Sequence, residues 1–234
     1  MRRGQTKQNS HSKRFVGLRT KIDKTKAYPM EEAIKIAKET ATTKFDSSIE
    51  VAIRTGIDPA KSEQQIRTTV LLPHGTGKKI KIAVIAPADK QKDAKAAGAE
   101  LVGGTELIEE IAKTQKTNFD ILVTVPEMMK DLAKIAKILG PKGLMPNPKT
   151  ETVTPNLKRT VEELAKGKIS FKNDDTGNIH LSIGKASFDD QKLLANYQAF
   201  IEALNKRKPA SIKGIFIKNI TISSTMGPGI RVQI

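Results

Sequence analysis

Three histidines, His11, His74 and His180, are the first residues to weigh for chemistry, and they lie in three separate segments. No pair has the spacing of metal ligands. Two adjacent acid pairs, Asp174-Asp175 and Asp189-Asp190, offer carboxylates. The first sits among Asn, Thr and Gly, where Asp organises turns. The second precedes an amphipathic run, where Asp caps a helix. Gly75-Thr76-Gly77-Lys78 hints at a phosphate loop. The first glycine of such a loop is missing at the required spacing, and Lys79 stands where a Ser or Thr would bind magnesium, so a nucleotide loop is rejected. Gly98 and Gly103-Gly104 form no dinucleotide fingerprint. The chain has no Cys, which excludes disulfides, thiolate metal sites and a Cys nucleophile. These residues predict no enzyme, no cofactor and no metal site.

They do predict a contact surface. Lys44-Phe45-Asp46, with Ser48, precedes a strand; Phe171-Lys172-Asn173-Asp174 leads into a turn at Thr176-Gly177; Ser223-Ser224-Thr225-Met226-Gly227 ends a strand. Each cluster joins a flat apolar side chain or bare backbone to hydrogen-bonding groups. That mix suits RNA, whose 2′-hydroxyls and sugar edges need donors and acceptors beside flat apolar area. The alternative is that Phe45 and Phe171 are core residues with solvated Lys neighbours, and that Thr225-Met226-Gly227 is an ordinary strand end.

Charge points the same way. The formal net charge is +16, and residues 1–26 hold half of it, with nine Lys/Arg against one acid, Asp23. A basic arm on a moderately basic body predicts a polyanion partner. Aromatic residues are only 4%, which argues against a base-stacking platform. No run approaches the ~18 apolar residues of a membrane span, and the polar, basic start is unlike a secretory signal, so the expected setting is cytoplasmic.

The elements that must position these clusters follow from periodicity. Met1–Ser10 has none and is expected to be mobile on its own. A short helix is predicted over His11–Ile22, with Phe15, Leu18 and Ile22 on one face. Pro29 and Glu31-Glu32 open a second helix, and Ile49, Val51 and Ile53 alternate as a strand. From about Thr68, short apolar strands at Val70–Leu72, Ile80–Ile85, Leu101-Val102 and Ile121–Val125 alternate with helices at Ala88–Ala97, Thr105–Lys113 and Glu127–Leu139. That grammar predicts a small doubly wound α/β unit of parallel strands. The Gly/Pro-rich loop from Gly140 to Lys149 closes it. A helix over Val161–Ala165 stops at Gly167. Ile169–Lys172 and Ile179–Leu181 flank a turn and predict a hairpin. A long helix over Asp189–Leu204 turns Leu193, Leu194, Tyr197, Phe200, Ile201 and Leu204 inward. A final strand starts at Ile215, and its apolar phase slips by one, which predicts a bulge at Lys218–Asn219. The expected fold class is α/β and α+β together. Residues 1–67 and 159–234 form a discontinuous α+β sandwich, and residues 68–158 an inserted Rossmann-like domain on a two-stranded hinge.

Several of these stretches also carry a resemblance. Lys44-Phe45-Asp46, Pro73-His74-Gly75-Thr76-Gly77-Lys78, the loop from Ile138 to Lys149 with its Gly-Pro-Lys-Gly-Leu-Met-Pro-Asn-Pro-Lys run, the turn Phe171–Gly177 and Ser224-Thr225-Met226-Gly227-Pro228 resemble, in order, the bacterial-type family of large-subunit ribosomal protein one, the mobile-stalk protein. The resemblance covers nearly the whole chain. It implies a two-domain, hinged protein, a monomer within the cytoplasmic ribosome. Its implied partners are large-subunit ribosomal RNA near the exit tRNA site, the exit-site tRNA whose deacylated form it helps release, and its own operon's messenger RNA, which it represses. Carried onto this chain, the RNA contacts are Lys44, Phe45 and Ser48; Phe171, Lys172, Asp174, Thr176 and Gly177; and Asn219, Ser223, Thr225, Met226 and Gly227. Asn219 stands where relatives often have Ser, and its amide can make an equivalent hydrogen bond.

Overall fold

The structure, a computed structural model, describes residues 12–23, 25–212 and 214–234. The mobile arm expected over Met1–Ser10, and His11, lie outside the described residues. Ser12 opens helix α1 (Lys13–Arg19) by accepting a hydrogen bond from the Phe15 N–H. Leu18 and Ile22 are buried beneath it. Helix α2 (Met30–Glu39) follows Pro29, carries Glu31 and Glu32 in its positive first turn, and buries Ala33, Ile34 and Ala37. Strands β1 (Ser48–Thr55) and β2 (Arg67–Leu71) come next, each with alternating burial.

The middle of the chain alternates as expected: β3 (Ile82–Ile85), α3 (Ala88–Ala96), β4 (Leu101–Gly103), α4 (Thr105–Thr114) and β5 (Ile121–Thr124). The single helix expected over Glu127–Leu139 is broken. It consists of a 3-10 turn at Pro126–Met128, α5 (Met129–Leu132), another 3-10 turn and α6 (Ala136–Leu139). Then come α7 (Leu157–Ala165), β6 (Lys168–Lys172), β7 (Asn178–Lys185), α8 (Asp190–Lys206), β8 (Ile217–Ser224) and β9 (Ile230–Val232).

Four antiparallel strands form one sheet in the order β7-β1-β8-β9. One face is apolar: Ile49, Val51, Ile53, Ile179, Ile183, Ile220 and Ile222 pack against Ile34 and Ala37 of α2 and Leu193, Phe200 and Leu204 of α8. Burying each such side chain stabilises the fold by roughly 1.5–3 kcal/mol. The bulge falls where the phase slip predicts it. Thr55 pairs with Ile217 and Arg54 with Asn219, which leaves Lys218 without a partner on β1.

The parallel sheet β4-β3-β5 is covered on both faces. Ile82 and Val84 face Ala94 of α3 and Val161 and Leu164 of α7. Ala83 and Ile85 face Ile108 and Ile111 of α4 and Leu132, Ile135 and Leu139. Uninterrupted burial along β3 is what a strand covered on both sides requires.

Two expectations about pairing fail. Of Val70–Leu72, grouped by sequence with the α/β segment, Val70 and Leu71 belong to β2, which pairs antiparallel with β6, and Val70 and Leu72 are buried with the first core. The expected hairpin forms only its turn: Asn173 bridges Ile179, but β6 then runs to β2 and β7 to β1. A turn signal is local, while strand partners are chosen by burial, and in this pairing Phe171 is buried edge-on against Phe200 of α8. Helix α7 starts four residues earlier than expected and packs Leu157 and Val161 against the parallel sheet. The last long strand begins at Ile217, and Ile215 is exposed.

Candidate nucleic-acid interface

Outward-facing residues of the four-stranded sheet are polar apart from Ala52. Across β7, β1 and β8 they form rows: Ser182, Glu50 and Ser223; His180, Ala52 and Thr221; Asn178, Arg54 and Asn219. Arg231 of β9 extends the middle row from Thr221. Side chains two apart on a strand share a face, so this strip follows from the same alternation that builds the core on the other side.

The predicted contact residues gather at the two ends of this strip. At one end, Ser48 begins β1 and Thr225 follows β8. The Thr225 N–H donates to the Ser48 carbonyl at 2.9 Å. The Thr225 hydroxyl accepts from the Ser48 N–H at 3.1 Å and donates to the Ser48 carbonyl at 3.2 Å. Met226 takes a left-handed backbone, φ 62°, and its side chain is 67% exposed. The Gly227 N–H closes the turn onto the Ser224 carbonyl at 2.8 Å. A Cβ on Gly227 would collide with the buried Ser224 hydroxyl, so this position requires glycine for close approach. Phe45 is 56% exposed. Lys44 is exposed, and Asp46 anchors the loop by accepting from the Ser187 N–H and hydroxyl. The Lys185 ammonium donates to the Ser48 hydroxyl at 2.9 Å.

Arg14 of α1 was not among the predicted residues. Its guanidinium donates to the Met226 carbonyl at 2.8 Å and to the Thr42 hydroxyl at 3.0 Å, joining α1, the Phe45 loop and the Met226 turn. A long-range link of this kind leaves no trace in sequence spacing. A local signal could only have flagged Arg14 as one cation among many.

At the other end, six residues or about 20 Å along β1, lies the Asp174 turn. The Asp174 carboxylate accepts from the Thr176 N–H and hydroxyl, both at 2.9 Å, and from the Asn178 N–H at 2.7 Å and side-chain amide at 3.2 Å. The Asn178 N–H above all, joined by the Thr176 hydroxyl and N–H and the Asn178 amide, holds the carboxyl well below the usual carboxylate range, and together these outweigh an opposing desolvation that is larger than any of the Thr176 contacts alone. Gly177 is left-handed, φ 81°, and its carbonyl accepts from the Thr55 hydroxyl at 2.5 Å. Thr176 and Lys172 are exposed. Asn219 donates to the Thr221 hydroxyl at 3.3 Å, while its buried side-chain oxygen has no partner among the described residues.

Phe171 does not join either group. Its ring is 4% exposed and meets Phe200 edge-on, 5.2 Å between centroids, so it is a core residue that cannot contact a partner. The two phenylalanines thus divide, Phe45 to the surface and Phe171 to the core. Asp189 stands at the start of α8 but makes no side-chain cap; it pairs with Lys192 at 3.1 Å, and Asp190 pairs with Lys38 at 2.7 Å. Among the described residues no group of three or more His, Cys, Asp or Glu could hold a metal ion, and no helix is long and apolar enough to cross a membrane.

The scaffold is mixed α/β, and its open sheet face offers hydroxyls, amides and cations, with apolar tips at one end. The chain belongs to the family described as Ribosomal protein L1p/L10e, whose profile matches residues 37–228. It is 49% identical over 223 residues to the protein named large ribosomal subunit protein uL1 of Thermosipho africanus, covering 95% of this chain and 96% of that one. It is 52% identical over 222 residues to the uL1 of Mycoplasma capricolum, covering 95% and 98%, and 51% identical over 223 residues to that of Mesoplasma florum, covering 95% and 98%. Members of this family are structural components and not enzymes.

Proposed function

We propose that this protein is a ribosome-bound, cytoplasmic component of the large ribosomal subunit, and that it holds ribosomal RNA on the open face of its four-stranded sheet. The observation that supports this best is the end of the strip at Ser48 and Thr225. There Phe45 and Met226 project apolar surface beside hydroxyls, bare backbone and Arg14. Flat apolar area next to donors and acceptors matches an RNA minor groove edge, with its sugars and 2′-hydroxyls. A net charge of +16 supplies the sequence-independent attraction. The Asp174 turn forms the second contact, some 20 Å away by strand rise, through the exposed Thr176 and Lys172, while Gly177, predicted as a contact, is buried against Thr55 and Ile57 and only shapes the turn. The turn's carboxylate acts by shaping the loop, since its oxygens are occupied within it.

The finer role follows from the resemblance. The bound RNA is the mobile stalk beside the exit tRNA site; the protein assists release of deacylated tRNA, and the same surface binds a similar fold in its own operon's messenger RNA and represses translation. Two domains move about the crossings near residues 72–78 and 166–168 to serve that role. Retention on large subunits after a high-salt wash tests the ribosomal reading, and a chain that washes off completely overturns it. Competition between a stalk RNA fragment and the operon leader in filter binding tests repression; a leader that does not compete removes the regulatory role.

A further inference from the structure

Gly75-Thr76-Gly77-Lys78 is no nucleotide loop, yet it is shaped to hold an anion. The segment lies where the chain first crosses between the two cores, and Lys166-Gly167 crosses back beside it. The sign of φ alternates along it: +61° at Gly75, negative at Thr76, +74° at Gly77, negative at Lys78. Alternation of φ sign is a feature of the backbone concavities that bind anions. Among the described residues, the N–H groups of Thr76, Gly77, Lys78 and Lys79 have no protein acceptor.

A cleft of about 430 Å³ opens at this loop, with Lys79 and Lys166 on its walls. Neither lysine makes an ion pair among the described residues, whereas Lys78 is tied to Asp120 at 2.6 Å. In the last turn of α7 the Glu162 carbonyl accepts from the Lys166 N–H and the Leu164 carbonyl from the Lys166 and Gly167 N–H groups, which weakens the negative helix end but leaves a remainder that the two lysines must outweigh. The loop is also fixed in place. Asn196, fully buried, accepts from the His74 N–H at 3.1 Å and donates to the Gly75 carbonyl at 2.9 Å. Gly77 packs so closely on Lys185 that a Cβ there would lie 3.0 Å from the Lys185 Cγ. Lys185 is the residue that caps the sheet strip at Ser48. The loop therefore continues the strip without a break.

We propose that the Gly75–Lys79 backbone, with the Lys79 and Lys166 ammonium groups, is a phosphate-binding site, and that its occupant is a backbone phosphate of the RNA that lies on the sheet. The identity of the occupant rests on the proposed RNA-binding function; the anion site itself does not. Preformed N–H donors hold the phosphate's position, and the two lysines release counterions when it binds.

Two measurements on the full chain test this. In the first, amide NMR shifts are followed as inorganic phosphate is added. The Thr76 to Lys79 amides move and saturate, and a Lys79→Gln, Lys166→Gln variant loses most of that response; unmoved amides overturn the site. In the second, affinity for a stalk RNA fragment is measured against salt. The double variant lowers the slope of log affinity against log salt by about one, the value for one phosphate. Lys113→Gln with Lys116→Gln, exposed on and just after α4, removes the same charge and leaves the slope unchanged. Equal slopes for the wild type and the Lys79/Lys166 variant overturn RNA as the occupant. If the wild type binds no stalk RNA, the RNA reading fails, and the phosphate titration still decides the anion site.

Discussion

Because the Thr225 hydroxyl both accepts from and donates to the Ser48 backbone, it has one lone pair left for a ligand. Replacing it therefore acts first on the fold. Thr225→Val leaves the Ser48 N–H without an acceptor and is expected to destabilise by about 1–2 kcal/mol, with Thr225→Ser restoring the loss. Thermal melts of the two variants check this, and an unchanged Val melt would contradict it. Phe45 is the opposite case. It is exposed, so Phe45→Ala should leave the melting temperature within the scatter of surface changes, ±0.5 kcal/mol or roughly so. Stalk RNA affinity should nevertheless fall by about 1–3 kcal/mol, a five- to hundredfold weakening. Filter binding on a variant with wild-type stability reads that directly. Asp174 gives a pH signature. Its folded pKa is lowered, so the stability it contributes is full above its unfolded pKa of about 3.9 and is lost as pH falls through the folded value. The melting-temperature gap between wild type and Asp174→Asn should be widest at pH 5 and above and should narrow below pH ~4. A gap that widens in acid would contradict this account.

Elements were legible where their signal is local and periodic. The phase slip in Ile215–Ser223 located the bulge at Lys218, and Asn173–Asn178 located a turn, because both effects are settled within a few residues. Partners across the sheet were less so. Nothing within Thr68–Leu71 says that its ladder is with Lys168–Phe171, about a hundred residues later, and nothing near Arg14 points to the Met226 carbonyl. Phe45 and Phe171 look alike in sequence, each beside a Lys and within three residues of an Asp, and the packing of Phe171 on α8 separates them. Asn196 was hidden for a related reason. A polar residue on an apolar helix face reads as an outward position, yet this one is fully buried and makes three hydrogen bonds, to His74, Gly75 and Ile183. Asn196→Leu should cost at least about 1–3 kcal/mol, since it leaves buried backbone groups unpaired. Chemical denaturation would show it as a lower midpoint at an unchanged slope.

At the scale of the molecule, the first core draws on residues 22–72 and 171–232, and the chain between fills the other two clusters. The Leu72 N–H donates to the Gly167 carbonyl at 3.3 Å, so the two cuts lie side by side. A chain joining residues 1–73 to 167–234 through a short linker is expected to fold and to bind stalk RNA within about tenfold of the whole protein, as 1.4 kcal/mol or less is at stake. Circular dichroism and filter binding decide; a folded chain with no specific binding would move the RNA contact to the excised part. The boundary matters, because ending the first piece at residue 67 would remove β2 and leave Phe171 and β6 without their ladder.

Strands β2 and β6 run antiparallel, yet both leave the first core at the same end, Leu71 beside Lys168. The chain passes out through one and back through the other. A pull on the far α/β segment, with the sheet held on RNA, therefore tugs both strands in one direction at once. Neither slides past its neighbour, and the five paired positions between them bear no shear. Tension is instead divided between two parallel tethers and ends on the buried side chains that root them, Val70 and Leu72 on one strand and Phe171 on the other. The attachment resists as a doubled cord anchored in the core, so a mechanical load on the outer segment is shared by the two strands and borne by that rooting rather than by the ladder between them.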